Sequence, residues 1–297
     1  DVCSSDLGPS RCGGSWGDIM DVDEIKVCVL RIEGTNCEQE AYEAFKTLGA
    51  SPEKVHLKQL IGRGPEELRR DLDDYHVLML PGGFSAGDYV RAGAIFAARI
   101  KSHLAAGLEN FISSGRPVLG VCNGFQILVE LGVLPSFDEV MSEEPQAALY
   151  TNVSGRFECR PTFLKHENHG RCAFTSLLPR GEVVMFPSAH AEGNLRFPAE
   201  REQEFVQRLE DNDQVVFRYV TPEGDHGDYP WCPNGAVSNL AGICNPEGNV
   251  MGLMPHPERA MFRYQHPDWT RTGGRPDERG DGQVIFRNDV YGRDPPT

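Results

Sequence analysis

No apolar run in the 297 residues approaches the roughly 18–20 needed for a membrane-spanning helix, so no membrane partner is expected. The first 24 residues are rich in Gly, Ser and Asp and lack the apolar core of a signal peptide. Basic residues are outnumbered: 29 Lys and Arg face 44 Asp and Glu, a net charge of -15. That balance argues against broad contact with a phosphate backbone and for small-molecule or basic partners, so no nucleic-acid partner is expected. The nine cysteines are odd in number and include no CxxC pair, which excludes a disulfide framework or a zinc ribbon and favours a reducing cytoplasm. No glycine-rich loop is followed by the lysine of a phosphate-binding P-loop, and no carboxylate cluster suggests a metal.

The chain starts at Asp1, and Asp1-Val2-Cys3-Ser4-Ser5-Asp6-Leu7 matches a translated sequencing-adapter tail. Residues 1–24 are therefore expected to be a non-native or disordered leader, with Met20 nearer the true start and no role for Cys3 or Cys12. Residues 25–297 are expected to form a single domain.

Strand and helix signals alternate from Lys26 onward. Val27-Cys28-Val29-Leu30-Arg31-Ile32 has the apolar character of a buried strand. Thr35 and Glu38 have the spacing of a capping box before a helix carrying Ala41, Ala44, Phe45 and Leu48, which Gly49 ends. A second strand is expected near Val55-His56-Leu57, and Pro65 opens a short helix with Leu68 and Leu72 on one face. His76-Val77-Leu78-Met79-Leu80 and Pro117-Val118-Leu119-Gly120-Val121 are further buried strands, separated by a helix predicted over Ile95 to Leu108. This order argues for an α/β fold with a central parallel sheet covered on both faces. Short β-like runs at 156–163, 183–186, 215–219 and 250–253 suggest an antiparallel addition, while 136–146 and 196–210 are charged and expected at the surface. Val284-Ile285-Phe286 is expected to return to the core.

Gly120-Val121-Cys122-Asn123-Gly124 follows an apolar strand and opens a helix, the setting of a nucleophile elbow. The glycines let backbone crowd around Cys122, and the N-terminal end of a helix favours negative charge there. The N–H of Asn123 is placed to donate to a developing oxyanion. A buried structural cysteine beside a tight turn is the competing reading. A cysteine nucleophile needs a base and an orienting group. Met254-Pro255-His256-Pro257-Glu258-Arg259 supplies both, because Glu258 can hold one imidazole nitrogen while the other faces Cys122. The competing reading there is a solvated surface turn. The strand ending in Pro81-Gly82-Gly83 can turn a backbone N–H inward, making Gly83 a second oxyanion donor; a plain loop is the alternative. Cys28 reads as core, and Cys37, Cys159, Cys172, Cys232 and Cys244 lack ligand-like spacing. His166-Glu167-Asn168-His169 reads as loop rather than metal motif.

Together, Gly120 to Gln126, Pro81-Gly82-Gly83 and His256-Pro257-Glu258 resemble the class I, triad-type glutamine amidotransferases. The runs Glu33-Gly34-Thr35-Asn36-Cys37-Glu38, Pro81 to Asp88 and Gly252 to Arg259 resemble, more narrowly, the glutaminase component of phosphoribosylformylglycinamidine synthase from purine synthesis. The resemblance covers about residues 26 to 290. It implies a flavodoxin-like α/β domain with Cys122, His256 and Glu258 as a triad and Gly83 and Asn123 as the oxyanion hole. Gln126, Phe84 and His190 would contact the substrate glutamine, His190 lying in a run similar to the family's His-Gly-Glu-Gly segment, with Ala191 in place of a glycine. Glu33 stands where many members have proline. The resemblance further implies a synthetase partner, with a small accessory subunit in some assemblies, and no cofactor in this chain. ATP and Mg²⁺ would belong to the synthetase. Alternatives are a triad glutaminase serving another synthetase, a cysteine peptidase or deglycase of related fold, and a non-catalytic regulatory subunit.

Overall fold

In the computed structural model, residues 21–291 are described except 89 and 272, with side chains up to 287. The leader expectation, including Cys3, Cys12 and Met20, falls almost wholly outside them. The chain order is β1 (Lys26–Arg31), α1 (Glu38–Thr47), β2 (Ser51–His56), α2 (Leu57–Leu60), β3 (Val77–Leu80), α3 (Ala94–His103), α4 (Ala105–Ser113), β4 (Val118–Val121) and α5 (Asn123–Glu130). There follow β5 (Ala148–Thr151), β6 (Glu158–His166), β7 (Val183–His190), β8 (Glu192–Arg196), α6 (Glu202–Asp211), β9 (Val215–Val220), β10 (Leu240–Cys244), β11 (Val250–Leu253) and α7 (Gln283–Tyr291).

Nine strands form one sheet in the order β2-β1-β3-β4-β11-β10-β9-β6-β7, and β5 pairs with β8 apart from it. The β2-β1-β3-β4-β11 half is parallel. The β11-β10-β9-β6-β7 half is antiparallel. The antiparallel addition is thus a continuation of the central sheet through β11. Strands β3, β4 and β11 are buried at every residue, as parallel strands covered on both faces require.

Four local expectations change. The stretch after Pro65 is two separate 3₁₀ turns, Glu66–Leu68 and Leu72–Asp74, with Leu68 exposed and Leu72 buried rather than on one helical face. Thr35 does not cap α1: its Oγ1 accepts from the Ile32 N–H at 3.2 Å, and the cap position passes to Cys37. The helix predicted over 95–108 is two helices that meet at Leu104, whose φ of -132° breaks the rod. The break lets Phe96, Ala97 and Ile100 on one piece, and Leu108, Phe111 and Ile112 on the other, all reach the core. The charged stretch 196–210 carries α6, which buries Phe205 and Leu209 beneath its exposed acidic face. In the first charged stretch, Ser136, Phe137 and Ser142 are likewise buried.

Where α7 returns, Ile285 and Phe286 are fully buried, and the Phe286 ring meets Phe45 of α1 edge-on at 5.1 Å. That contact joins the C-terminal end to the helix behind β1. Phe286→Ala should lower unfolding free energy by about 3–5 kcal/mol. Urea denaturation of the two proteins reads this directly; a loss below about 1 kcal/mol would mean the helix is dispensable.

Candidate active site

The carboxyl ends of β1, β3, β4 and β11 are neighbours in the sheet, and the loops leaving them meet over one edge. Cys122 follows β4 directly, Gly82 and Gly83 follow β3, and His256 and Glu258 follow β11. A crevice beyond the carboxyl ends of parallel strands is where open α/β sheets bind ligands. Here it is a cavity of about 270 Å³, lined by Cys122, Gly83, Gln126, His190 and His256 among others. That volume suits an amino acid rather than a larger ligand.

Cys122 sits at φ 51°, ψ -108°, a strained turn that lifts its side chain from the sheet while α5 begins at the next residue. The turn is possible because Gly124 has no Cβ: one built there would lie 1.8 Å from the Leu80 carbonyl oxygen. The Cys122 thiol is 3.6 Å from the Ala189 carbonyl. Among the described residues no acceptor is found for the N–H of Gly83 or of Asn123. Gly83 lines the cavity, and Asn123 directly follows Cys122 at the start of α5.

His256 and Glu258 are buried together, with Nδ1 and Oε1 2.5 Å apart. Burial works against an imidazolium, but the charges of Glu258 and then Cys122 outweigh it and raise the His256 pKa to about 10. Its Nε2 faces the Cys122 thiol, whose hydrogen bond also raises the pKa, while the Glu258 Oε2 has no partner among the described residues. Cys37, His256 and Glu258 also place donor atoms within 4.8 Å of one another. The Glu258 Oε1 is taken by His256 and the Cys37 thiol by Arg259.

The remaining predicted residues line the same cavity in different conditions. His190 is buried, its Nδ1 3.1 Å from Asn152 Oδ1. Burial, helped by the charge of His256, lowers its pKa to about 3, leaving a neutral ring with a free Nε2. Gln126 is tied at both ends of its amide: Nε2 donates to the Glu192 carbonyl and Oε1 accepts from Asn123. It lines the cavity wall. Phe84 stands at the mouth, half exposed, with its ring 6.2 Å from that of Phe157.

Four titratable lining residues are not among the site residues expected from sequence: Cys37, Asp88, Glu192 and Arg259. Asp88 carries a buried, unpartnered Oδ1. Burial, reinforced by Glu192, raises its pKa to about 6. All four lie within motif runs of the sequence, but nothing in the run around Cys37 signals its contact with Arg259, 222 residues away.

The His256 pKa has a stability consequence. A histidine whose folded pKa exceeds its unfolded value stabilises most below about pH 6.5 and loses that contribution as pH rises through about 10. Glu258→Gln removes the larger of the two charges that raise it. The stability gap between wild type and variant should therefore be widest near pH 6 and narrow toward pH 10. Urea unfolding at pH 6, 8 and 10 checks this, and a gap independent of pH would contradict it.

The CobB/CobQ-like glutamine amidotransferase domain matches residues 24–291. The chain is 55% identical to the phosphoribosylformylglycinamidine synthase subunit PurQ of Archaeoglobus fulgidus, covering 91% of this chain and 98% of that one. It is 42% identical to the PurQ subunit of Picrophilus torridus, over 90% and 98%. Among solved structures, PurLQS from Thermotoga maritima matches with a TM-score of 0.65 and 32% identity, over 90% of this chain and 98% of that one. Fold, cavity and these likenesses agree: the chain belongs to the CobB/CobQ-like glutamine amidotransferase family.

Proposed function

We propose that this protein is the glutaminase component of phosphoribosylformylglycinamidine synthase, taking ammonia from glutamine through a thioester on Cys122 and passing it to a synthetase subunit. The observation that carries the chemistry is the meeting of Cys122, Gly83 and His256 at one amino-acid-sized cavity, with Glu258 buried behind His256 and Asn123 directly after Cys122. The pathway rests on the PurQ relatives and on the PurLQS likeness.

In this reading the Cys122 sulfur attacks the side-chain carbonyl carbon of glutamine, and the carbonyl electron pair moves onto oxygen. The N–H groups of Gly83 and Asn123 hold that oxyanion. The protonated His256, kept charged by Glu258, gives its Nε2 proton to the departing ammonia. The neutral ring then takes a proton from water, which attacks the thioester, and glutamate leaves with the sulfur restored. The acidic wall of Asp88 and Glu192 suits the α-ammonium group of the substrate, and Phe84 and Phe157 cover its mouth. We assign ATP and Mg²⁺ to the synthetase partner, which a small accessory subunit can accompany, and no cofactor to this chain. A thiol that must stay reduced fits a cytoplasmic setting.

Cys122→Ala should reduce glutamine-dependent ammonia release by at least about 10⁴-fold, because nucleophile and base act as a unit. The same complex should still form amidine product when ammonium salt replaces glutamine; release unaffected by the substitution would sink the proposal. Asp88→Asn should raise KM for glutamine about tenfold, the effect of losing roughly one charge-assisted contact. Steady-state kinetics decides, and an unchanged KM would remove Asp88 from the substrate site.

A further inference from the structure

A Gly-Gly peptide has little intrinsic preference for which way its N–H points, since both residues reach left- and right-handed backbone conformations. The oxyanion donor proposed at Gly83 therefore needs something outside the dipeptide to orient it. In a trans peptide the carbonyl and the N–H lie on opposite sides, so fixing the Gly82 oxygen fixes the Gly83 N–H. The Cys37 N–H donates to that Gly82 oxygen at 3.2 Å. The same strap, residues 33–37, grips the loop twice more: Phe84 donates to the Gly34 carbonyl at 3.1 Å and Ala86 to the Glu33 carbonyl at 2.7 Å. The fit is close enough that a Cβ on Gly83, whose φ is 140°, would lie 2.7 Å from the Asn36 nitrogen and side-chain oxygen.

Both ends of the strap are anchored. At its start, Glu33 is held by Lys58 at 2.6 Å and Arg99 at 2.9 Å. At its end, the Cys37 sulfur lies 3.0 Å from Nη2 of Arg259, which also reaches Glu40 at 3.5 Å. Arg259 is the residue after Glu258, on the loop that carries the base. We propose that Cys37 and Arg259 form a latch between the strap and the His256–Glu258 loop, and that this latch positions the Gly83 N–H for catalysis. The inference rests on the glutaminase reading and on Gly83 as an oxyanion donor. Cys37 and Arg259 are positioning residues: they act through the Gly82–Gly83 peptide. Burial, reinforced by Glu258, pushes the Cys37 thiol up to about 12. It stays neutral and serves as an acceptor for the guanidinium, a role a hydroxyl can also fill.

The test compares Cys37→Ala, Cys37→Ser and Arg259→Gln with wild type in the complete synthetase complex. Two quantities are read: kcat and KM for glutamine, and the rate at which iodoacetamide alkylates Cys122, followed by peptide mapping. Alkylation displaces iodide at a methylene carbon and develops no oxyanion, so it reports the nucleophile without the donor. For Cys37→Ala and Arg259→Gln, kcat should fall about 10- to 100-fold, toward the loss seen when an oxyanion donor is removed. KM should stay within about threefold, Cys122 alkylation should match wild type, and Cys37→Ser should recover most of the rate. Unchanged kcat in both disruptive variants would overturn the latch, as would kcat and alkylation falling together, which would mean general damage to the site. Cys122→Ala run alongside separates the two levels: ammonia release that survives it refutes the glutaminase reading itself, whereas its loss with normal latch variants refutes only the latch.

Discussion

The approach of α5 to the end of β3 is the constraint on which the site depends. Without a Cβ at Gly124, the helix backbone comes close enough to the Leu80 carbonyl for β4 to turn sharply into α5 at Cys122. The turn holds Cys122 at a positive φ, a strain of about 1–3 kcal/mol that the fully buried strands on either side sustain. From this one packing decision follow the placement of Cys122 at the cavity, the N–H of Asn123 beside it, and the closeness of the Gly82–Gly83 peptide at the end of the neighbouring strand. Parallel pairing of β4 with β11 then delivers His256 to the same edge.

Two buried histidines show how the surroundings divide charge in so small a space. His256 has Glu258 and Cys122 against it and is held protonated, with a pKa of about 10. His190 has the neutral Asn152 side chain as its partner and the positive ring of His256 nearby, and its pKa falls to about 3. One imidazole is thus kept as a proton donor while the other stays neutral. On the far wall Asp88, raised to about 6, and Glu192 supply negative character. In the proposed reaction these walls would meet the ammonium and the reacting end of a zwitterionic amino acid.

Much of this was legible locally. An apolar strand, a glycine-spaced turn and a helix are contiguous in sequence around Cys122, and the i, i+2 spacing of His256 and Glu258 is likewise local. What escaped was tertiary. The contact between Cys37 and Arg259 joins residues 222 apart, which no spacing rule detects. The capping box at Thr35 and Glu38 satisfied its pattern, yet Thr35 was spent on the β1 end instead. The break at Leu104 was invisible because helical periodicity runs through both α3 and α4. Of the antiparallel strands β6, β7 and β9 were recognisable one by one, but β5, β8 and β10 were not, and 250–253, read as part of the addition, is β11, which pairs parallel with β4 and links the two halves of the sheet.

The central claim is a covalent glutamyl intermediate on Cys122, and acid-quench mass spectrometry of the complex during turnover with glutamine tests it most directly. The account predicts a γ-glutamyl adduct on the peptide that carries Cys122, present during turnover in the wild type and absent from Cys122→Ala. Ammonia release with no adduct, or with the adduct on Cys37, would contradict it.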